Sequence, residues 1–221
     1  MAPNAFSDRL IESNMQPFTE LPQHNLFFEL ADPLKNPPFR LRSRLPAESL
    51  PDRKQLDLHA QGANELSVRF QFDAVQGNKA EDFLWTQLVR PACVSGRVVK
   101  LLEVNEISGW STFPVEVYDP DGILIPDFHG LAVTGPSYRA EHNRSEIVQM
   151  PPLVQGGKSF EIYRGLFFDE SLWDGTDMFW VDRVHVVTER TCRLFQEHKV
   201  GNVQFTPLEE RETRVRHVKR D

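Results

Sequence analysis

The clearest pattern of hydrophobic and polar positions lies within residues 179–208, where it predicts a strand, a helix and a second strand. The first strand is apolar and rich in valine, and Thr188 follows it as a residue type favoured at helix N-caps. Thr191, Leu194, Phe195 and His198 then follow at the i, i+3, i+4, i+7 spacing of one helix face. Gly201 then supplies the turn expected after a helix, and Pro207 marks the second strand as an edge or a strand end.

Residues 90–116 repeat this pattern when the second stretch is shifted back by 93 positions. Ser95 then takes the cap position of Thr188. Six of the 27 aligned positions are identical, namely Arg183/Arg90, Val187/Val94, Arg190/Arg97, Leu194/Leu101, Pro207/Pro114 and Glu209/Glu116. Two interpretations remain open, a true duplication or the general similarity of any two strand-helix-strand units.

The remaining elements are predicted to be strands. Alternating apolar residues predict a strand over 66–72, and the turn residues at 119–122 predict a hairpin between residues 113–118 and 123–125. Residues 136–160 carry paired prolines and paired glycines and are predicted to be a long loop. Two strand-helix-strand units give more helix than a β-sandwich contains, and less regular β-α alternation than a doubly wound sheet requires. We therefore predict an α+β fold, with a mixed sheet built around the two strand-helix-strand units.

Proline content divides the chain. Residues 1–60 contain eight of the sixteen prolines, which exclude long regular elements, although the apolar run at 26–30 predicts one buried strand. We expect a loop-rich N-terminal lobe over 1–60 packed on the core, an α+β domain over 61–210 and a charged tail over 211–221.

The composition indicates in which cellular compartment the protein is expected. The 221 residues suffice for a substantial core, and no apolar run resembles a leader or reaches the length of a membrane span. We therefore expect a cytoplasmic protein that does not associate with membranes. Cys93 and Cys192 are flanked by apolar residues and are predicted to be buried free thiols.

Charge is concentrated in the middle of the chain. The formal net charge is −7, and residues 103–182 hold 14 acidic residues against four basic ones. Such a surface repels nucleic acid and would attract a basic protein partner, although net charge also serves solubility. The candidate partner-binding residues on these acidic loops are Asp119, Asp121, Asp127, Asp169, Glu170, Trp173, Asp174 and Asp177.

Catalytic signatures are missing from the sequence. There is no nucleophile elbow, no phosphate-binding glycine loop and no zinc-type cysteine spacing. Asp127, His129 and His142 form a weak metal-ligand pattern, and the acidic residues at 169–177 lack the spacing of a calcium loop. We expect no cofactor, no metal and no catalytic residue.

Several stretches resemble a bacterial immunity-protein family of polymorphic toxin systems. They are FPVEVY at 113–118, GLAVTG at 130–135, Arg144-Ser145, GLFFD at 165–169, WDGTDMF at 173–179, VTE at 187–189, and Asn202-Val203 with Phe205. The resemblance covers roughly residues 85–210 in matching order. Some family members carry a paired-cysteine segment that this chain lacks.

The resemblance implies a protein that binds and neutralises a toxin encoded beside it, without catalysis, in a setting such as type VI secretion. A basic toxin would fit the acidic loops. Two other interpretations stay open. One is an enzyme of unrecognised type that uses Asp127, His129 and His142. The other is a structural or adaptor protein of a secretion system that makes contact through its proline-rich lobe.

Overall fold

The structure is a computed structural model that describes residues 26–33, 39–44, 70–77, 79–86 and 92–215. Its helices are α1 (Gly96–Val104) and α2 (Glu189–Glu197), with 3-10 turns at His142–Arg144, Glu170–Leu172 and Leu208–Glu210. Its strands are β1 (Phe27–Ala31), β2 (Arg40–Ser43), β3 (Phe70–Gln76), β4 (Phe83–Thr86), β5 (Ala92–Ser95), β6 (Trp110–Tyr118), β7 (Leu124–Ile125), β8 (Phe128–Val133), β9 (Ser137–Tyr138), β10 (Glu146–Met150), β11 (Phe160–Arg164), β12 (Met178–Val181), β13 (Val184–Thr188), β14 (Gln204–Pro207) and β15 (Glu212–Arg214).

The largest sheet closes on itself. Its strands run in the order β3-β2-β4-β5-β8-β6-β7, and a parallel pairing of β3 with β6 joins the two sides into a ring of six strands. We call this the closed sheet. Strand β7 lies outside the ring, where it forms an antiparallel hairpin with β6. The hairpin predicted around residues 119–122 is therefore confirmed.

The other strands form two open sheets. The five-stranded sheet has the order β14-β1-β13-β12-β9, and the three-stranded sheet has the order β10-β11-β15. Strands make up 45% and helices, with the 3-10 turns included, 18% of the described residues, so the structure is mostly β with two α-helices. The strands are distributed over three sheets rather than the one mixed sheet that was predicted.

The two helices occupy similar places in their sheets. Helix α1 lies between β5 and β6 in the chain, and these strands flank β8 in the closed sheet. Helix α2 lies between β13 and β14, which flank β1 in the five-stranded sheet. We call β4, β5, α1 and β6 the first helical unit, and β12, β13, α2 and β14 the second.

Strand alternation divides the apolar side chains among three cores. Val94, Leu131 and Trp180 point into a central core that both helices share. Their strand neighbours Cys93 and Ala132 point instead into the interior of the closed sheet. The other face of the five-stranded sheet carries a third, aromatic core. The helices are thus held between two sheets whose opposite faces are also covered.

Three predicted segments need correction. Residues 136–160 are not one loop, because β9 and β10 lie there. The charged tail begins with β15, which pairs with β11. The described parts of residues 1–60 supply β1 and β2, which lie inside two sheets and are not a lobe draped on the core. Strand β3 begins at the first described residue of its segment, so the start predicted at residue 66 lies outside the described residues.

The two cysteines are free and buried, as predicted. Burial raises the pKa of the Cys93 thiol, and burial together with the nearby Glu189 carboxylate raises the pKa of Cys192 to about 11. Both thiols are therefore protonated at neutral pH and poorly nucleophilic. Within the described ranges, the structure has no helix that is long and apolar enough to cross a membrane.

Candidate functional site

The β6–β7 hairpin presents the first predicted acidic loop. The Asp119 carboxylate oxygen Oδ1 accepts hydrogen bonds from the backbone N–H groups of Asp121 (2.9 Å) and Ile123 (2.8 Å), so it holds the turn rather than facing a partner. Asp121 is exposed beside it. Ile123 and Leu124 are also exposed, at 64% and 51% of their surface. The hairpin therefore combines two large aliphatic side chains with carboxylates at the outer end of the closed sheet.

The second acidic loop, residues 169–177, has a different construction. Asp169 Oδ1 accepts a hydrogen bond from Ser171 N–H (3.1 Å), and Glu170 beside it is exposed. The exposed Asp174 has a pKa below its ordinary value, chiefly because Thr176 hydrogen-bonds to its carboxylate. Trp173 is only half exposed, because its ring packs on Phe27 with the ring centroids 5.1 Å apart.

Asp177 is a structural residue, and its prediction as a partner contact is wrong. Only 6% of its surface is exposed. One carboxylate oxygen accepts from Thr188 Oγ1 (2.9 Å), and the other accepts from the backbone N–H of Ser108 (3.0 Å). Arg190 lies 3.4 Å from the second oxygen. A carboxylate enclosed by these donors has little capacity left for an intermolecular contact.

The two acidic loops do not form one face. Asp119 follows the last residue of β6, whereas Ser108, which binds Asp177, precedes the first residue of that strand. Because a strand rises about 3.3 Å per residue, the nine residues of β6 separate these two points by roughly 25 Å. The two acidic loops are thus associated with opposite ends of β6.

Asp82, directly before the first helical unit, makes the same kinds of contact as Asp177, directly before the second. It accepts from the N-cap hydroxyl of Ser95 (2.9 Å) and from the backbone N–H of Gly201 (3.0 Å), and it pairs with Arg97. Burial alone would raise the pKa of Asp82, but hydrogen bonds from Arg97, Gly201 and Ser95 outweigh it, and the pKa lies below its ordinary value. Sequence analysis missed both aspartates in this role.

We call each of these aspartates, together with the hydroxyl, the backbone N–H and the arginine that contact its carboxylate, a clamp. Each clamp joins the two helical units. Arg97, from the start of α1, donates to the carbonyl oxygen of His198 at the end of α2 (3.1 Å). Arg190, from the start of α2, donates to the carbonyl oxygen of Asn105 at the end of α1. The arginines thus satisfy carbonyl groups that a helix end leaves without partners. This reciprocal pattern fixes the two helices against one another.

The metal-ligand pattern proposed from sequence is not assembled. Asp127 and His129 approach each other, with 3.8 Å between Oδ1 and Nε2. His142 instead stacks on Tyr163 and lies 3.9 Å from Asp182. No group of three potential metal ligands occurs in the part of the chain that the structure describes.

A wide cleft lies elsewhere, between the five-stranded and three-stranded sheets. Its volume is about 850 Å³, within the range of about 300 to 1,000 Å³ that is usual for ligand sites. The lining side chains are largely basic or aromatic, and they include Tyr138, Arg139, His142, Tyr163, Asp182, Arg183, Arg211 and Arg214. We call it the arginine cleft. Sequence analysis missed it because its arginines come from three separated segments.

Most of the basic charge in the arginine cleft has no carboxylate partner among the described residues. Arg211 forms an ion pair with Glu29 at 3.0 Å, in a geometry outside that of a hydrogen bond. Arg214 lies over the ring of Phe160, 4.9 Å from its centroid. Among the residues that the structure describes, no carboxylate lies within 4.0 Å of the guanidinium groups of Arg139, Arg183 or Arg214.

A comparison with models of known protein families found no match, and a search of curated proteins found no matching sequence. Function is therefore inferred from the residues and geometry of this chain. Two surfaces stand out, the hairpin with its exposed aliphatic side chains and the arginine cleft.

Proposed function

We propose that the protein is an immunity protein that binds a cognate toxin and neutralises it by occlusion, without catalysis. The observation that carries the proposal is the β6–β7 hairpin, where Ile123 and Leu124 are exposed beside Asp121. The sequence resemblance to the immunity-protein family supplies the nature of the partner. The hairpin supplies a surface suited to binding it.

The chemistry of the hairpin suits a protein interface. Large aliphatic side chains exposed together cost free energy in water and gain it when a partner covers them. The Asp119 carboxylate holds the turn through two backbone hydrogen bonds, so the side chains are held in place before binding. A basic rim on the toxin would complement Asp121 and would speed association.

The second acidic loop would be a separate contact in this proposal, through the exposed residues Asp169, Glu170 and Asp174. Trp173 packs against the aromatic core instead, and Asp177 accepts the hydrogen bond from Thr188. Asp127 is exposed near the start of α1, where its carbonyl oxygen accepts from Gly96 N–H at 2.8 Å. We further propose that the protein acts in the cytoplasm of the toxin-producing cell.

We also propose that the two helical units arose by duplication. A shift of 93 positions carries α2 onto α1 residue for residue. Two residues beyond the last residue of each helix lies a residue with positive φ, Glu106 (50°) after α1 and Lys199 (51°) after α2. The following N–H then donates five residues back, from Ile107 to Leu102 and from Val200 to Phe195. Asp82 and Asp177 make matching contacts outside the aligned sequence, at a separation of 95 rather than 93 positions.

A growth assay tests the proposed function. The protein and the product of the gene beside it are co-expressed, and survival is compared between variants. We expect the wild type to protect, and Ile123→Asp combined with Leu124→Asp to abolish protection at an unchanged protein level.

The matched control is Leu153→Asp combined with Val154→Asp, which changes two more exposed side chains, at 79% and 70%, on the loop between β10 and β11. The control should protect like the wild type. Protection by the hairpin variant would remove the hairpin from the interface. Failure of the wild type to protect would overturn the proposed function.

A further inference from the structure

We propose that the arginine cleft is a binding site for an extended, acidic polypeptide segment, which would add as a strand to an open sheet edge. This inference goes beyond the proposed function and does not depend on the identity of the toxin. It concerns a different surface, opposite in charge to the hairpin.

The positive charge of the cleft lining favours an anionic ligand. The lining holds four arginines, Arg139, Arg183, Arg211 and Arg214, against the single carboxylate of Asp182, together with His142 and two tyrosines. Glu29 neutralises Arg211 from outside the lining. A concave surface of one sign concentrates counter-ions of the other sign. Guanidinium groups bind carboxylates through paired hydrogen bonds.

The backbone holds two of these arginines side by side. In the parallel pairing of β9 with β12, Tyr138 lies opposite Val181, so Arg139 comes next to Asp182. The N–H of Asp182 donates to the Tyr138 carbonyl (2.9 Å), and the Asp182 carboxylate accepts from Ala140 N–H (3.1 Å). These contacts fix the turn that carries Arg183. Arg139 and Arg183 are thus presented together at the rim, and Asp182 is partly used by the backbone.

The sheet edges favour an extended polypeptide over a compact anion. Strand β9 is the end strand of the five-stranded sheet, and β15 is the end strand of the three-stranded sheet. Both strands line the cleft, through Ser137 and Tyr138 on one side and Thr213 and Arg214 on the other. Each pairs with only one other strand among the described segments. An open edge offers backbone donors and acceptors to an added strand.

Titration of a labelled, capped peptide of alternating Glu and Val, followed by fluorescence anisotropy, tests this site. We expect saturable binding to the wild-type protein at low salt. Arg139→Gln combined with Arg183→Gln should weaken binding at least about tenfold. Arg139→Lys combined with Arg183→Lys should bind with intermediate strength, because the charge remains while the paired geometry is lost.

The matched control is Lys158→Gln combined with Arg193→Gln, which removes the same charge from exposed positions outside the cleft. It should bind like the wild type. Strand addition should also shift the backbone amide resonances of Ser137, Tyr138 or Thr213.

Three outcomes would overturn the inference. They are no saturable peptide binding by the wild type, an equal loss in the cleft and control variants, or tighter binding of a thymidine oligonucleotide of equal charge. The last outcome would assign the cleft to phosphate backbones instead. Equal melting temperatures of all variants show that lost binding is not lost folding.

Discussion

The two helical units are alike inside and different at their borders. In the first, a strand from later in the chain, β8, lies between β5 and β6. In the second, the strand between β13 and β14 is β1, from much earlier in the chain. The first unit lies in a sheet that closes, and the second lies in a sheet whose two end strands have no further partner among the described strands. Similar local signals thus gave similar units, whereas distant strands decided where the edges lie.

Both candidate binding surfaces lie at such edges. The hairpin with Ile123 and Leu124 is built on β7, outside the ring of the closed sheet. The arginine cleft is bordered by β9 and β15, the end strands of the two open sheets. The clamped helices form the framework between these surfaces. Changes within the framework should therefore alter stability, and changes at the edges should alter binding.

The largest stability effect is expected where the equivalent leucines of the two helices differ in burial. Leu194 is buried in the central core, whereas its counterpart Leu101 is only partly buried. Leu194→Ala should lower the free energy of unfolding by about 2 to 5 kcal/mol. Leu101→Ala should cost about 1 to 2 kcal/mol, because less apolar surface is lost from burial. Denaturant unfolding measures both, and equal costs would contradict the difference in packing.

The second-largest loss of stability is expected when the carboxylate of a clamp is removed. Asp177→Ala leaves Thr188 and Ser108 without their acceptor and should cost about 2 to 4 kcal/mol. Asp82→Ala should cost less, because the Asp82 side chain is more exposed, at 16% against 8%. A thermal or urea unfolding curve gives both values. A cost below about 0.5 kcal/mol for Asp177→Ala would place it with ordinary surface substitutions.

A smaller effect should appear on the acid side of the stability profile. The pKa of Asp82 is lowered in the folded protein, so its contribution is fully present above its unfolded pKa of about 3.9. The contribution is lost as pH falls through the lowered folded pKa. The stability advantage of the wild type over Asp82→Asn should therefore be constant near neutral pH and disappear under strongly acidic conditions. An advantage that grew on acidification would contradict the assignment.

Signals from adjacent residues in the sequence predicted much of the helical framework. Ser95 and Thr188 occupy the N-cap positions that their residue types predict, and the valine-rich segment before Thr188 is a strand. Long-range features escaped because they depend on pairing between distant segments. The apolar run at 26–30 predicted a buried strand but not which strands would pair with β1 on either side. Strand β10 was missed, and its Ile147 is exposed.

The candidate site residues show the same difference between features set by adjacent residues and features set by distant segments. Asp119 and Asp121 were predicted correctly to lie in a turn, because the turn is encoded by adjacent residues. Asp177 looked like a solvated acid in sequence, but its partner Ser108 lies 69 positions away. The arginine cleft gathers Arg139, Arg183 and Arg214 from segments that no local pattern connects.

The smallest stability effect is expected at the hairpin. Ile123→Asp combined with Leu124→Asp should change the free energy of unfolding by less than about 0.5 kcal/mol, because both side chains are already in water. Denaturant unfolding beside Leu194→Ala checks this contrast. A cost similar to that of the core leucine would mean that the hairpin belongs to the framework.

Surface-binding kinetics with the product of the neighbouring gene tests the central claim most directly. The wild type is compared with the hairpin variant, with the Leu153→Asp and Val154→Asp control, and with Asp121→Lys at two salt concentrations. We predict faster dissociation for the hairpin variant, slower and less salt-dependent association for Asp121→Lys, and wild-type kinetics for the control. Unchanged kinetics in both hairpin variants, with tight binding by the wild type, would contradict the account and move the interface to another surface.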